Sequence, residues 1–363
     1  MGSGAKSRSS SVLPRVFRRL PYTQKAGISR WAISGLGLLL VALLAAFAAP
    51  AAKAQDPIPP ITAPNIPPPP VQTPEGHRLK SDVDLVVLHV TVTNEKGDFV
   101  PDLNRNEFQI YEDKIPQNVS LFSRDDIPVT MGLVIDNSGS MREKRAQVNA
   151  AAMTFVKTSN PQDEAFVVNF NDEYYLDTDG DFTSDQKDLQ NALARIDTRG
   201  STALYDAVIG SLNHLKKGHK DKRVLLLVTD GDDDASRMTF EDTIKAAEES
   251  NATIYTIGVF SEDDLKNDKR MVRHSKKVLT ELAEATGGEA YFPANLEQVT
   301  PICEQVAHEI RNQYTIGYYP TNSSKDGTFR TVQVRVFAPR GTGKVVVRTR
   351  TGYYAPKSSA NGD

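Results

Sequence analysis

Between residues 128 and 312 short apolar runs and helical periodicities take turns, and few folds accept that alternation. Met131 to Ile135, Ala165 to Phe170, Val224 to Thr229 and Thr253 to Val259 have the length of buried strands. Tyr174 to Leu176 and Glu289 to Phe292 are shorter strand candidates. Helical spacing separates them over Arg142–Lys157, Asp185–Ile196, Ala203–Leu215, Phe240–Glu249, Val272–Ala285 and Leu296–Arg311. Strand and helix in strict rotation predict an α/β fold, a doubly wound, mostly parallel sheet with helices on both faces. A segment of this length suffices for one well-buried core.

The flanks carry a different pattern. From Val83 to Phe122, and again from Gln313 to Tyr354, apolar residues alternate with polar ones. Turns are marked by Glu95-Lys96-Gly97-Asp98, Glu112-Asp113-Lys114, Lys325-Asp326-Gly327 and Arg340-Gly341-Thr342-Gly343. Each flank therefore reads as short antiparallel strands, and pairing of the two flanks into one module is an open possibility.

The chain has 43 Lys and Arg against 46 Asp and Glu, a formal net charge of -3. That balance hides a split. Residues 1–54 hold eight bases and no acid, which leaves residues 55–363 at -11. Within the basic part, Trp31 to Ala49 is an uncharged run that leads to Ala52-Lys53-Ala54. This is the layout of a secretory signal cleaved after Ala54, or of an uncleaved signal anchor. Either reading places the body outside the inner membrane, in the periplasm, on the cell surface or beyond, with membrane contact only through an uncleaved anchor. Asp56 to Pro74 contains nine prolines and is expected to be an extended spacer. The division expected is 1–54 targeting, 55–77 linker, 78–127 β-rich, 128–312 α/β, 313–356 β-rich and 357–363 tail. The acidic body excludes a general nucleic-acid binder. Cys303, the single cysteine, excludes a disulfide framework and a cysteine-rich zinc site.

The first strand of the α/β region ends Asp136-Asn137-Ser138-Gly139-Ser140. A carboxylate and two hydroxyls at alternate positions on a strand-to-helix loop are hard oxygen donors suited to a small divalent cation such as Mg²⁺ or Mn²⁺. Alone, such a segment is equally a helix cap. Two other places match it: Thr202 at the start of a helix, and Asp230-Gly231 at the end of another apolar strand. If the strands ending at Asp136 and Asp230 are neighbours where the strand order reverses, the two carboxylates converge. Asp232-Asp233-Asp234 reads as a solvated loop, and the Tyr318-Tyr319 and Tyr353-Tyr354 pairs as strand packing with exposed hydroxyls.

Asp136-x-Ser138-x-Ser140, Thr202 and Asp230-Gly231, in this order within an α/β run, resemble the von Willebrand factor A domain and its metal-ion-dependent adhesion site. The stretches Val90–Thr93, Asn106–Phe108, Glu112-Asp113, Gly317–Pro320 and Gly352–Pro356 are similar to a bacterial, notably acidobacterial, family of exported von Willebrand-related proteins. The resemblance implies a Rossmann-like sheet of order 3-2-1-4-5-6, with Tyr174–Leu176 as the antiparallel edge. It implies a metal held by Asp136, Ser138, Ser140, Thr202 and Asp230, with Mg²⁺ expected first and Mn²⁺ or Ca²⁺ as alternatives. A Glu or Asp of a partner protein would complete the shell.

The function expected is a non-enzymatic, metal-dependent adhesion or interaction module. One alternative is an envelope scaffold that binds through the β flanks. Another is a metal-dependent phosphotransfer enzyme. Ser138 stands where that chemistry places a second acid, and neither a Gly-x-x-x-x-Gly-Lys loop nor a Gly-x-Ser-x-Gly elbow occurs.

Overall fold

The structure is a computed structural model and describes residues 85–158, 160–195 and 198–358. The targeting segment, the proline-rich linker and residues 359–363 lie outside them. Among the described residues no helix is long and apolar enough to cross a membrane.

The N-terminal flank forms β1 (Val86–Asn94), β2 (Phe108–Glu112), β3 (Ile115–Gln117) and β4 (Val119–Ser123). Asp113 and Lys114 both have positive φ, 48° and 69°, the backbone that a tight two-residue hairpin between β2 and β3 requires. The middle of the chain contributes β5 (Val129–Asp136), α1 (Arg145–Lys157), β6 (Glu164–Phe170), β7 (Tyr174–Leu176), α2 (Gln186–Leu193) and α3 (Leu204–Leu215). It continues with β8 (Lys222–Thr229), α4 (Phe240–Glu249), β9 (Ala252–Gly258), α5 (Glu262–Asn267), α6 (Lys269–Thr286), β10 (Ala290–Tyr291) and α7 (Val299–Asn312). The C-terminal flank adds β11 (Tyr314–Tyr318), β12 (Phe329–Val336), β13 (Val345–Arg348) and β14 (Gly352–Tyr354).

The central sheet runs β10-β9-β8-β5-β6-β7, parallel except for the antiparallel β7 edge. This is the order the family resemblance implies. Every residue of β5 is buried, because both faces of the strand are covered. Met131, Leu133 and Ile135 pack with α1, α2 and α7, while Val134 packs with α3, α4 and α6. Gly132 is the gap in that pattern. A Cβ there would lie 2.6 Å from Phe166 Cζ and 2.7 Å from Leu225 Cδ1, so the ring of the neighbouring strand occupies its place.

The flanks pair with each other. The two sheets β13-β1-β11-β4 and β14-β12-β2-β3 each draw strands from both ends of the chain. They enclose Leu88, Val90, Phe108, Ile110, Tyr314 and Ile316. Buried Glu112 accepts the hydroxyls of Tyr318 and Tyr353 at 2.8 Å each and faces Arg330 at 3.5 Å. The expectation of exposed hydroxyls on those two tyrosines is corrected: a buried carboxylate needs donors, and they supply them. The sandwich is also tied to α7. Buried Glu309 accepts hydrogen bonds from Thr91 of β1 (3.0 Å), Tyr255 of β9 (2.8 Å) and Arg348 of β13 (2.6 Å).

Candidate metal centre

The chain leaves the sheet at Asp136 and turns through Ser138 and a single 3₁₀ turn, Gly139–Met141, before α1. Asp136 is fully buried. Its Oδ1 accepts the backbone N–H of Ser138 at 2.7 Å and its Oδ2 accepts the Thr229 hydroxyl at 2.6 Å. Ser138 is buried and Ser140 exposed, yet their hydroxyl oxygens stand 3.0 Å apart. The loop thus carries a hydroxyl pair from the interior to the surface.

A second loop comes up beside it. The carbonyl of Gly200 accepts the Gly139 N–H at 3.3 Å. Gly200 has φ +73°, which lets the chain reverse into Thr202. Thr202 is buried and donates its N–H to Asp234 Oδ1 at 2.7 Å. Its carbonyl accepts the N–H groups of Asp234 and Ala235, at 3.1 and 3.2 Å. These bonds stitch Thr202 to the loop that follows β8.

That third loop begins at Asp230, which is buried beyond the carboxyl end of β8, the parallel neighbour of β5. Its Oδ2 lies 3.5 Å from the Lys144 ammonium. Its Oδ1 is enclosed and has no hydrogen-bond partner among the described residues. An unsatisfied buried acceptor costs roughly 1–3 kcal/mol, and more when it is charged. Burial first, and then the Asp230 carboxylate, push the Asp136 carboxyl up to about 6. Two neighbouring buried carboxylates, one of them pushed up and the other with an oxygen lacking any donor, are the surroundings a cation would relieve.

All five residues read from the sequence, Asp136, Ser138, Ser140, Thr202 and Asp230, fall on these three loops at one end of the sheet. Among the described residues no group of three or more His, Cys, Asp or Glu side chains is placed to hold an ion. Beside the two carboxylates the donors on these loops are hydroxyls, which suit a hard, octahedral cation.

Several participants are invisible in the motif. Thr229 fixes one oxygen of Asp136. Lys144 donates to the Val259 carbonyl at 2.9 Å and stands 3.6 Å from Asp264, besides facing Asp230. Asn137 accepts through its side chain from the fully buried Arg145 at 2.9 Å, and its N–H reaches the Phe170 carbonyl at 2.6 Å. Asp232 and Asp234 are exposed, as a solvated loop requires, and Asp233 and Asp234 in addition accept the N–H groups of Tyr205 and Thr202. Both acceptors lie against the N-terminal end of α3, where negative charge is favourable.

Residues 131–232 match the family model described as von Willebrand factor type A domain. No curated protein matches the chain. Among solved structures, the vWF domain of the type V pili tip protein Mfa5 from Porphyromonas gingivalis is similar at 14% identity and TM-score 0.42, over 51% of this chain and 95% of that one. A von Willebrand factor type A protein from Catenulispora acidiphila is similar at 11% identity and TM-score 0.45, over 77% and 76%. Proximal thread matrix protein 1 from the mussel byssus, with a zinc-occupied MIDAS motif, is similar at 16% identity and TM-score 0.43, over 54% and 48%.

Proposed function

We propose that this chain, which carries a von Willebrand factor type A domain, is an exported interaction protein that holds an acidic side chain of a partner protein through a divalent cation. Asp136, Ser138, Ser140, Thr202 and Asp230 are the residues that would hold the ion. The observation that carries the reading is the buried Asp230 Oδ1, left without a donor beside the buried Asp136.

When bound, the ion supplies an electrophilic position that a Glu or Asp carboxylate can fill. The protein residues determine how electrophilic it stays. Asp136 and Asp230 are the two carboxylates that would hold it, and Lys144 offsets part of the Asp230 charge, which favours an incoming acid. Ser140 is the exposed donor and marks the side from which a partner reaches the site. Thr229 and the Ser138 N–H hold both Asp136 oxygens in fixed directions, which limits the reorganisation needed on binding. None of these groups is arranged as a nucleophile with its base, which supports a binding role over turnover. Export rests on the basic, then apolar, N-terminal segment.

The test is capture from the envelope fraction on the immobilised chain. Partner retained in Mg²⁺, released by chelator and absent with Asp136→Asn supports the reading. Retention that ignores both chelator and substitution rejects it.

A further inference from the structure

The metal centre lies at the carboxyl ends of β5 and β8. At the opposite ends of the strands the α/β domain meets the sandwich around a cavity of about 800 Å³. Volumes of a few hundred to a thousand Å³ are those of small-molecule sites. The walls come from the starts of β1, β8 and β9, the end of α6, the loop between β11 and β12 and the turn between β13 and β14.

Arg350 stands in that turn. Its guanidinium donates to Asn251 Oδ1 at 2.9 Å and to the Val87 carbonyl at 3.3 Å, and lies 5.3 Å from the Tyr353 ring centroid. Its Nε is buried without a hydrogen-bond partner, and among the described residues no carboxylate lies within ion-pair distance. Buried charges are ordinarily paired, and a guanidinium held by neutral acceptors alone is an open cation. Its backbone is fixed as well: a Cβ on Gly287, the left-handed residue that ends α6, would lie 2.5 Å from the Arg350 nitrogen.

The surroundings strengthen the positive field. Arg223, one strand over, is half-buried, bonds the Leu215 carbonyl at 3.1 Å and likewise has no ion pair among the described residues. His89 on β1 is pushed down to about 3, by burial first, then by Lys222 and by Arg350. Arg330, also in the wall, is compensated by Glu112. The acids at this cavity, Asp125 and Asp221, are exposed, and Asp125 is bonded to Ser123 at 2.6 Å. Val87, Leu121 and Ile127 give one side an apolar lining.

We propose that this cavity binds a small oxyanion ligand, a carboxylate or phosphate monoester with a compact apolar body. The head would lie on Arg350 and Arg223, and the body against Val87, Leu121 and Ile127. Guanidinium groups read such oxyanions through paired N–H donors, which makes the head the specificity determinant. This site needs no divalent cation and is separate from the one under Proposed function.

The test uses the full chain dialysed free of divalent ions, so that the metal centre recruits no carboxylate. Benzoate, phenyl phosphate and the uncharged benzamide are titrated calorimetrically. At least one anion should bind, benzamide should bind about tenfold more weakly or not at all, and Arg350→Gln should weaken the anion by about tenfold or more. Whichever anion prevails identifies the head. Arg223→Gln gives the same reading should Arg350→Gln fail to fold. Benzamide binding as tightly as the anions, unchanged affinity in the folded variants, or no binding of either anion at millimolar concentration overturns the proposal.

Discussion

Lys144 stands 3.5 Å from Asp230, where a bound cation would also draw on that carboxylate. Ammonium and metal would therefore compete for one charge. Lys144→Met is expected to lower the melting temperature of the metal-free protein, because Asp230 loses its buried partner. It should also raise Mg²⁺ affinity by roughly tenfold, the effect of removing one nearby like charge. Calorimetry with a parallel melting series checks both, and weaker Mg²⁺ binding would count against the competition. A second residue reports through pH. Burial, with Lys222 and Arg350 nearby, pushes folded His89 down to about 3, against 6.5 for an ordinary histidine. Between those values the unfolded chain takes up a proton that the folded chain refuses. The contribution is thus intact above about 6.5 and is lost as pH falls toward 3. His89→Asn should flatten that part of the melting-temperature profile relative to the parent. A parallel profile would show that the imidazole is solvated. Neither residue stands out in the sequence: Arg142-Glu143-Lys144-Arg145 looks like a solvated run, yet Lys144 and Arg145 are 5% and 1% exposed. Their partners, Asp230 and Asn137 with Asn169, are assembled only by the fold.

At the level of elements, the rotation of strand and helix was readable because β5, β6, β8 and β9 are buried on both faces and the longer helices show one apolar stripe. Phe240–Glu249 agrees end to end, helped by Thr239 and Asp242, which cap it reciprocally. Helix α5 was not readable, since its six residues bury no apolar side chain and rest on the Ser261–Asp264 cap. The pairing of the flanks was equally hidden. Period-two alternation shows which face a strand buries but not which strand it joins, and β1 meets β11 across more than two hundred residues. The candidate oxygen site was legible for the opposite reason: Asp136 and Asp230 lie at the carboxyl ends of β5 and β8, strands that topology makes neighbours. Gly132 tests the tightness of the central sheet. Gly132→Ala should cost about 1–3 kcal/mol through overpacking on Phe166, and Phe166→Leu should recover part of it. Chemical denaturation of the single and double variants measures the coupling, and strict additivity would show that the ring is not the obstacle.

Across the whole molecule, the sandwich and the α/β domain are joined by Glu309, which gathers donors from β1, β9 and β13. Glu309→Ala leaves Arg348 and two hydroxyls short of a buried acceptor and should cost about 3–5 kcal/mol. In a melting experiment it should separate the two parts into distinct transitions; a single unshifted transition would mean that they fold independently of this bond network. The same interleaving means that deleting residues 313–363 would strip strands from both sheets of the sandwich, so that truncation cannot isolate the role of the flanks. The body carries -11 at long range, while the proposed metal contact with an acid would be local. Binding of an acidic partner should therefore strengthen as salt rises, the reverse of ordinary ion pairing. The central claim is that two buried carboxylates and three hydroxyls hold one divalent ion. Calorimetric titration of Mg²⁺ into the metal-free chain and its Asp136→Asn variant tests it most directly. The account predicts one ion per parent chain and affinity at least about a hundredfold weaker in the variant, which loses a charged ligand in a desolvated site. Equal affinity in the two proteins would contradict it.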